Sequence, residues 1–509
     1  MGPLHNQSIL ILGLGASGLA MARWCVRQGA QVTVADTRQA PPELATLRQQ
    51  LPGVGFVCAA LDAALLERAA PTLLLKSPGL SPEQVQDIAA AARARATPVR
   101  AELDLFAQAL ADLRTAHAYQ PKLLAVTGTN GKTTVTALTA QLVQRAGKTA
   151  IAAGNIGPTL LDSLARCLDG DTLPEVWVVE LSSFQLADCA KSDGAPGAFE
   201  PIAGCLLNIS QDHLDWHLTM DDYALAKAKV FGQQGLMLLN RDDETVMAML
   251  PAPVRGRAAR RYLTFGAQMP QSAGDFGIEQ VNGMAWLVRA LELDPTHKLR
   301  KGQEAEALHI QRLIPADALR IRGRHNAVNA LAALALAEAA GCALAPVLFG
   351  LREYRGEPHR VAPVAVIREV EYFDDSKGTN VGATVAALTG LGAERKLVLI
   401  VGGEGKGQDF SPLAVPVAQF ARAVVLIGRD APTIGAALQS SGVEIVDAAS
   451  MHEAVAKAHD LARPGDAVVL SPACASFDMF DSYVHRAQVF CEAVAALADT
   501  QQSLSGVSA

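Results

Sequence analysis

The chain has 509 residues, of which 50% are hydrophobic and 5% aromatic, and it carries a formal net charge of −7. This length predicts roughly three domains of about 150 residues each, and the acidic balance argues against a nucleic-acid-binding protein, whose surface is usually basic. Eight cysteines without a C-x-x-C pair argue against a disulfide framework or a thiolate zinc site and, with no signal peptide apparent, predict a cytoplasmic location.

The first predicted unit begins with a short apolar strand, Ser8–Leu12, followed by a glycine-rich turn and an amphipathic helix. The turn, Gly13-Leu-Gly-Ala-Ser-Gly18, is a full G-x-G-x-x-G motif, and the next strand ends at Asp36. An acidic residue at that point completes the fingerprint of dinucleotide binding. Three interpretations stay open here: NAD, another nucleotide-diphosphate ligand, or a purely structural turn. A later strand, Leu73–Lys76, leads into Ser77-Pro-Gly79.

The second unit opens on a predicted phosphate-binding loop. An apolar run leads into Gly128-Thr-Asn-Gly-Lys132-Thr-Thr134 and then into a helical pattern over 135–144. Glycines let backbone N–H groups approach phosphate oxygens, the helix N-terminus favours negative charge, and the Lys and Thr suit a terminal phosphate and Mg²⁺. The match to G-x-x-x-x-G-K-[ST] is incomplete because Val126 replaces the first glycine, so an ordinary strand–turn–helix is the alternative. We place the preceding domain boundary near residue 115.

Two further strands of this unit deliver polar residues. Val176–Glu180 is apolar up to its last residue, and a carboxylate there, beside a phosphate loop, is placed to hold Mg²⁺. The alternative is a Glu that caps the following helix. A strand over 205–209 leads to His213 and His217, whose i, i+4 spacing suggests zinc only weakly because no third ligand is apparent.

The next segments carry weaker signals. A short helix over 223–231 bears Lys227 and Lys229, and composition alone assigns both lysines to the solvated surface. The stretch over 274–314 alternates apolar and polar side chains in places, which predicts extra strands or a surface insertion. We assign no role to that segment.

An Ala-rich run over 330–351 has the apolarity of a membrane span. Gly341 and Pro346 interrupt it, so we predict a buried helix followed by a second short one, and no membrane span. Asn326 and Asn329 open the helix with two amides three residues apart. Asn at a helix start often caps the helix, and a ligand-binding role is the equal alternative.

The third unit follows a linker over 353–360 and alternates strands with helices. The predicted strands lie at 371–374, 396–401, 423–427, 443–446 and 466–470. Polar loops follow three of them, over 374–380, 402–407 and 471–480. Open α/β sheets bind ligands beyond the carboxyl ends of their strands, so these loops predict one binding face.

Five motifs together resemble the Mur ligase family, the ATP-dependent amide-forming enzymes of peptidoglycan precursor synthesis. They are Thr127-Gly-Thr-Asn-Gly-Lys-Thr133, Glu180-Leu-Ser-Ser-Phe-Gln185, Asn208-Ile-Ser-Gln-Asp-His213, Asp375-Ser-Lys-Gly-Thr-Asn380 and Ser471-Pro-Ala-Cys-Ala-Ser476. The last four look like the D-glutamate-adding branch. The resemblance runs from about residue 8 to 495, and it departs at 268–316 and at a stretched loop over 191–200.

The resemblance implies an α/β fold of three domains. Residues 1–115 would form a Rossmann-like domain for a UDP-linked substrate. Residues 116–356 would form a P-loop ATPase-like domain with a mostly parallel sheet, carrying the insertion at about 268–316. Residues 357–509 would form a second Rossmann-like domain for the amino acid.

The implied reaction joins D-glutamate to UDP-N-acetylmuramoyl-L-alanine through an acyl phosphate, with release of ADP and phosphate. The implied cofactors are ATP, a pair of Mg²⁺ ions and a carbamate on Lys227. The chain would act in the cytoplasm as a monomer, with these small molecules as its partners and no nucleic acid among them.

The resemblance also assigns site residues. The catalytic residues would be Lys132, His213, Lys227 and Asn155, and the metal ligands Thr133, Glu180, His213 and Lys227. ATP would contact Gly128, Thr129, Asn130, Gly131, Lys132, Thr133, Thr134, Asn326, Asn329, Arg360 and Asp375. The UDP-muramoyl-alanine substrate would contact Ala16, Ser17, Asp36, Thr37, Arg38, Ser77, Gly79, Asn155, Ser182 and Gln185, and D-glutamate would contact Lys377, Thr379, Lys406, Ser476 and Tyr483.

Three rival functions remain. A dehydrogenase would use the first glycine motif for NAD and make the phosphate loop incidental. A non-catalytic P-loop regulator would bind ATP without needing Glu180, His213 and Lys227 together. A sibling ligase would add another amino acid, although the chain has no Asp-Asn-Pro-Arg motif of the diaminopimelate- or lysine-adding kind.

Overall fold

The structure is a computed structural model that describes residues 3–190, 197–252, 259–293, 308–393 and 395–506. Helices and strands alternate along the chain and build three large sheets, which are parallel but for one strand pair, and one small antiparallel sheet. This confirms the predicted α/β class with three domains. Within the described residues, no helix combines the length and apolarity needed to cross a membrane.

The first domain is a five-stranded parallel sheet in the order β3-β2-β1-β4-β5. Its strands are β1 (Ser8–Leu12), β2 (Gln31–Asp36), β3 (Gly55–Cys58), β4 (Leu73–Lys76) and β5 (Val99–Arg100). Its helices are α1 (Ala16–Arg27), α2 (Leu44–Gln50), α3 (Ala63–Ala69), α4 (Gln86–Ala94) and α5 (Glu102–His117). This order brings the ends of β1, β2 and β4, where the predicted substrate residues lie, to one edge.

Helix α5 runs through residue 115, where the sequence placed a domain boundary. Its buried Phe106 packs edge-on against Trp177 of the central domain, with ring centroids 5.2 Å apart. Phe106 also belongs to one continuous hydrophobic cluster with Ile9 and Ile11 of β1. The first two domains therefore share a core across this helix instead of meeting at a polar linker.

The central domain has a six-stranded parallel sheet in the order β11-β10-β9-β6-β8-β7. Its strands are β6 (Lys122–Thr127), β7 (Ala150–Gly154), β8 (Val176–Glu180), β9 (Ala203–Leu206), β10 (Leu236–Asn240) and β11 (Tyr262–Phe265). Its helices are α6 (Lys132–Arg145), α7 (Leu160–Asp169), α8 (Ser183–Asp188), α9 (Leu214–His217), α10 (Met220–Ala228), α11 (Glu244–Met247), α12 (Arg324–Ala339) and α13 (Leu344–Glu353). Helix α12 is buried along most of its length, as the Ala-rich run predicted, and α13 is the expected second helix.

The segment over 268–316 contains an antiparallel three-stranded sheet, which confirms the prediction of extra strands. Its strands are β12 (Phe276–Val281), β13 (Met284–Glu292) and β14 (Leu308–Pro315). Residues 294–307 of this segment, and residues 191–196 of the stretched loop, lie outside the described residues.

The third domain has a six-stranded sheet in the order β15-β16-β20-β17-β18-β19. Its strands are β15 (Ala362–Ile367), β16 (Val370–Asp374), β17 (Leu397–Gly402), β18 (Ala421–Ile427), β19 (Glu444–Asp447) and β20 (Ala467–Leu470). Its helices are α14 (Val381–Gly392), α15 (Ala414–Phe420), α16 (Ala431–Leu438), α17 (Met451–Leu461) and α18 (Tyr483–Gly506). All neighbouring strands are parallel except β15 and β16. The sequence analysis missed β15, an edge strand that is at least partly exposed along most of its length and contains Pro363.

Candidate functional site

The loop between β6 and α6 can approach a ligand closely because it lacks side chains at two crowded points. Gly131 is the N-cap of α6 and has a φ of 83°, a conformation that favours glycine. A Cβ atom there would lie 2.7 Å from Oδ1 of Asn329, and one at Gly128 would lie 2.9 Å from Cβ of Leu207. The loop is therefore packed against β9 and α12 on one side and open to a phosphate on the other.

Two lysines converge on this loop. The Lys132 Nζ atom donates to the carbonyl oxygens of Gly128, at 2.9 Å, and of Thr129, at 2.8 Å. The Lys227 Nζ atom donates to the same Gly128 oxygen at 2.8 Å. Burial lowers the pKa of Lys132, and burial together with the charge of Lys132 lowers the pKa of Lys227 well below its ordinary value. Two amines thus stand where the terminal phosphates of a nucleotide would lie.

The surface assignment of Lys227 and Lys229 from composition was wrong. Lys227 is 1% exposed, and the Lys229 Nζ atom donates to the carbonyl oxygens of Ala187 and Cys189 at 2.7 and 3.0 Å. Lys227 lies on α10 and Lys229 directly follows that helix, and both amines donate to backbone carbonyls distant in sequence. Nothing in the local pattern separates these lysines from exposed ones.

Glu180 ends β8 directly beside β6, opposite Val126. Its Oε1 atom accepts a hydrogen bond from Nδ2 of Asn155 at 2.7 Å, while its buried Oε2 atom has no hydrogen-bond partner among the described residues. The helix-cap alternative was wrong, because Ser182 caps α8 and pairs with Gln185 in a capping box. A buried carboxylate oxygen left without a donor fits a hard cation such as Mg²⁺.

An aromatic cluster connects His213 to the Lys227 amine. Its ring centroid is 4.7 Å from that of Phe184 and 6.5 Å from that of Tyr223. The Lys227 Nζ atom lies 4.6 Å from the centroid of the Tyr223 ring. Within the described part of the chain, no three His, Cys, Asp or Glu side chains form a metal-binding group. A magnesium site here would therefore need the Thr133 hydroxyl, a modified Lys227 or the ligand's own phosphates.

A cavity of about 600 Å³ adjoins the phosphate loop, between the central and third domains. Its lining includes Asn130, Gly131, Thr134, Asn326, Asn329, Arg360 and Asp375. The capping interpretation of Asn326 was wrong, because Gly323 is the N-cap of α12. The Asn326 side chain bonds to Arg322 and Asn329, which leaves both amides at the cavity wall. These seven residues all belong to the predicted ATP set.

The third domain is docked on the phosphate loop. Arg360 donates to the Thr133 hydroxyl at 2.9 Å, and Asn380 forms hydrogen bonds with Asn130 and Asp212 at 3.2–3.3 Å. Burial raises the pKa of Asp375, which faces the same cavity, to about 7, against the opposing effect of Ser471 and Arg360. The structure thus has a closed arrangement in which both domains contribute to one cavity.

In the first domain, the glycine motif is a tight strand–helix turn. A Cβ atom at Gly18 would lie 2.0 Å from the carbonyl oxygen of Gly13, and Ser77 donates to that same oxygen at 2.9 Å. Ala16, Ser17, Thr37, Arg38 and Gly79 lie partly or fully exposed around the turn. The predicted substrate residues of this domain are therefore neighbours at one edge of the sheet.

Asp36 does not offer the free carboxylate that NAD recognition requires. Both of its oxygens are engaged, by the backbone N–H groups of Leu14 and Arg38 and by the Arg38 guanidinium. Burial would raise its pKa, but these donors prevail and lower it to about 2. A ribose hydroxyl would have to displace this pairing, which weighs against the dehydrogenase interpretation.

The three polar loops of the third domain form one face. Asp375 accepts from the Ser471 hydroxyl at 2.7 Å, and Glu404 pairs through its backbone with Ala475. The Lys377 Nζ atom lies 3.8 Å from the Tyr483 ring centroid. Of the remaining residues predicted to bind D-glutamate, Ser476 is buried, Thr379 is partly exposed and Lys406 is exposed on the same loops.

The sequence analysis missed Arg486, which joins two of these loops. Its guanidinium donates to Oγ and O of Ser376, at 3.0 and 2.8 Å, and to the Cys474 carbonyl at 3.1 Å. Burial lowers its pKa to about 10. Arg486 lies in a helical sequence pattern that looks exposed, so nothing local indicates that its guanidinium is buried between two loops.

Comparison with known families matches all three domains. Residues 7–99 match the MurD-like N-terminal domain of Mur ligases, residues 126–337 the Mur ligase middle domain, and residues 359–474 the glutamate ligase domain of Mur ligases.

The chain is also similar to curated proteins over nearly its whole length. It is 64% identical to a protein of Albidiferax ferrireducens and 54% identical to one of Ralstonia nicotianae, with 98% of both chains covered in each comparison. Both relatives are named UDP-N-acetylmuramoylalanine–D-glutamate ligase.

Among solved structures, the fold is similar to that of more distant proteins. The UDP-N-acetylmuramate–alanine ligase of Thermotoga maritima aligns at 20% identity with a TM-score of 0.52, over 96% of this chain and 100% of the other. A MurF structure from Acinetobacter baumannii aligns at 16% identity with a TM-score of 0.56, over 96% and 92%. These two likenesses support the three-domain architecture alone.

Proposed function

Since this chain belongs to the Mur ligase family, we propose that it catalyses the ATP-dependent addition of D-glutamate to UDP-N-acetylmuramoyl-L-alanine in peptidoglycan precursor synthesis. The observation that carries this proposal is the convergence of Lys132 and Lys227 on one loop carbonyl beside a cavity that two domains enclose. The names of the curated relatives support the choice of amino acid.

The reaction must first activate a carboxylate that does not react with an amine at neutral pH. The L-alanyl carboxylate attacks the γ-phosphorus of ATP in line, which forms an acyl phosphate and releases ADP. The D-glutamate amine then attacks the acyl carbon, loses a proton and expels phosphate through a tetrahedral intermediate. Because two anions meet in the first step, positioning and charge neutralisation dominate the catalysis.

The residues of the phosphate loop would supply that neutralisation. On ligand binding, Lys132 would exchange its two carbonyl partners for the β- and γ-phosphate oxygens, which are stronger acceptors. Arg360 reaches the loop from the third domain and would add a second cation. Asn155, already bonded to Glu180, would orient the substrate's carboxyl group.

Magnesium fits this site. The unpaired Oε2 atom of Glu180 and the Thr133 hydroxyl would hold one ion near the phosphates, and a carbamate on Lys227 together with His213 would hold a second. Bound Mg²⁺ would screen the charge of the triphosphate. Burial and the charge of Lys132 lower the pKa of Lys227, which favours the neutral amine, the form that reacts with CO₂.

The amino-acid pocket would lie on the loop face of the third domain. Lys377 and Lys406 would pair with the two carboxylates of D-glutamate, and Thr379 and Ser476 would donate hydrogen bonds. The ring of Tyr483, against which the Lys377 amine already rests, would close one side.

The test is an amino-acid panel assayed with UDP-N-acetylmuramoyl-L-alanine and ATP. We expect phosphate release with D-glutamate to exceed that with L-glutamate by at least about 100-fold, because the wrong enantiomer leaves polar groups of the pocket unpaired. Equal rates with L-glutamate or without any amino acid would reject the proposal in favour of a sibling ligase or a P-loop regulator. Substrate-dependent oxidation of NADH would instead favour a dehydrogenase.

Replacing Arg360 with alanine tests whether ATP bridges the two domains. We expect the KM for ATP to rise roughly tenfold or more, since a hydrogen bond to a charged group contributes about 1.5–3 kcal/mol. Steady-state kinetics with varied ATP measures this change. Arg355→Ala, at an exposed position of the same linker, is the matched control and should leave the KM unchanged. An unaltered KM in Arg360→Ala would place the nucleotide elsewhere.

We further propose that the enzyme is a cytoplasmic monomer. One chain supplies every proposed ligand to the nucleotide, the metals and the amino acid, so the site does not need a partner subunit. All eight cysteines are free thiols, which is typical of a reducing compartment. Light scattering coupled to gel filtration would reveal a dimer if the monomer proposal is wrong.

A further inference from the structure

Among the residues that the structure describes, three ion pairs join the first domain to the central domain, and one of them differs from the others. Arg23–Asp162 and Arg27–Asp169 are formed by partly exposed or exposed side chains. Lys76–Asp188, at 2.6 Å, is buried, with side-chain exposures of 8% and 13%. Exposed pairs contribute little to stability, whereas a buried pair has to compensate for two desolvated charges.

Both ends of the buried pair are fixed to elements of the proposed site. Lys76 ends β4 and directly precedes Ser77, whose hydroxyl donates to the Gly13 carbonyl. Asp188 ends α8, the helix that Glu180 and Ser182 introduce. The pair therefore connects the glycine turn of the first domain to the carboxyl edge of the central sheet.

The segment around Asp188 is held from two other sides as well. Lys229 donates to the carbonyl oxygens of Ala187 and Cys189, and Asp104 of α5 accepts from the Ala190 N–H at 2.9 Å. These contacts fix the end of α8 against Lys229 of the central domain and against α5 of the first domain. Lys76 therefore pairs with a carboxylate whose position is set from both domains.

Lys76 also contacts the loop that carries the proposed metal ligand. Its Nζ atom lies 5.2 Å from the centroid of the Trp216 ring, a cation–π distance. Trp216 lies on α9, for which His213 is the N-cap residue. The Trp216 and Phe184 rings are 4.9 Å apart. One amine therefore touches both α8 and α9, the two elements that flank the proposed reaction centre.

Stability does not account for this pair. Burial raises the pKa of Asp188 to about 6 and lowers that of Lys76, in both cases against the attraction of the partner. Replacing a buried ion pair with apolar side chains is often neutral or stabilising, and the two domains already share a hydrophobic core through α5. Apolar side chains would not reproduce the directed contacts that Lys76, at the end of β4, makes with α8 and α9.

We propose that Lys76 and Asp188 are positioning residues for the ligase reaction. They hold the UDP-binding turn of the first domain at a set distance from α8 and α9, so that a substrate anchored by its UDP group presents its carboxyl group to the phosphate loop. This role rests on the proposed function. A displacement of reacting groups by about 1 Å is enough to lower a rate by roughly 100-fold.

The test is the double variant Lys76→Met/Asp188→Leu, which removes both charges and keeps the apolar volume. We expect its melting temperature to equal or exceed that of the unchanged chain, while kcat/KM for UDP-N-acetylmuramoyl-L-alanine falls roughly 10- to 100-fold. The KM values for ATP and D-glutamate should stay the same. The matched control, Arg27→Met/Asp169→Leu, removes an exposed pair across the same interface and should change none of these values.

Asp188→Asn is the second variant, because it keeps a hydrogen-bond acceptor for Lys76 at nearly constant volume. We expect Asp188→Asn to lose less activity than the double variant. Only kcat/KM for UDP-N-acetylmuramoyl-L-alanine should change. Unchanged kinetics in a folded double variant, or an equal loss toward all three substrates, would overturn the positioning role. If the unchanged chain itself shows no D-glutamate-dependent phosphate release, the proposed function fails, and the positioning role fails with it.

Discussion

Replacing Lys227 with alanine is expected to lower kcat by at least about 100- to 1,000-fold, the range found when one electrostatic contact to the reacting groups is removed. Added formate or acetate should restore part of the activity. The measurement is phosphate release at saturating substrates, with and without the short carboxylic acid. The same acids should not stimulate the unchanged chain.

The reason lies in the environment of the Lys227 amine. It is buried, it shares the Gly128 carbonyl with Lys132, and burial and the Lys132 charge lower its pKa well below the ordinary value. A neutral amine adds to CO₂ and loses a proton, which places an anionic carbamate at the end of a long arm. Such a carboxylate would relieve the crowding of positive charge and supply a ligand for Mg²⁺. Alanine leaves a space that a small carboxylic acid can fill.

Lys229→Ala is the matched control, since Lys229 lies two residues away and also donates to backbone carbonyls. Any loss in that variant would arise from the backbone around Asp188, so a carboxylic acid should not restore it. Full activity of Lys227→Ala would remove the carbamate from the mechanism. Rescue of both variants by acetate would show that the effect is not specific to this site.

The positions of the motifs at strand ends were predictable, because the carboxyl ends of parallel strands lie at the same edge of a sheet. Glu180 and Ser471 follow apolar runs and Asp375 follows a predicted strand, and α/β topology brings the carboxyl ends of neighbouring strands to one edge. The sequence pattern also correctly predicted a second helix after Gly341. The same reasoning left the role of the first glycine motif open, and the engaged carboxylate of Asp36 and the family match of residues 7–99 weigh against NAD.

The errors concern long polar side chains whose partners are distant in sequence. Lys227, Lys229 and Arg486 have the composition of surface residues, and their contacts follow from where α10, the turn after it and α18 pack. The pairing of Lys76 with Asp188 joins residues 112 positions apart, so no local pattern contains it. Leu103 and Phe106 on one face of α5 belong to a core shared by two domains, and that packing depends on contacts distant in sequence.

Replacing Glu180 with glutamine is expected to lower kcat by at least about 100-fold and to raise the Mg²⁺ concentration needed for half-maximal activity. Glutamine keeps the size of the side chain and an oxygen for Asn155 but has no charge to hold a hard cation. The measurements are a Mg²⁺ titration of phosphate release and a thermal melt. Glu175→Gln, just before the opposite end of the same strand, is the matched control and should behave like the unchanged chain.

The melt separates a metal ligand from a structural carboxylate. If Glu180 served chiefly to balance the charges of Lys132 and Lys227 in the fold, its neutralisation would lower the melting temperature and leave the Mg²⁺ dependence unchanged. The Oε2 atom, however, is buried without a partner among the described residues, and an unsatisfied buried charge is unfavourable for folding. We therefore expect Glu180→Gln to melt at the same temperature or higher. A less stable variant with normal kcat and normal Mg²⁺ dependence would contradict the assignment of Glu180 as a metal ligand.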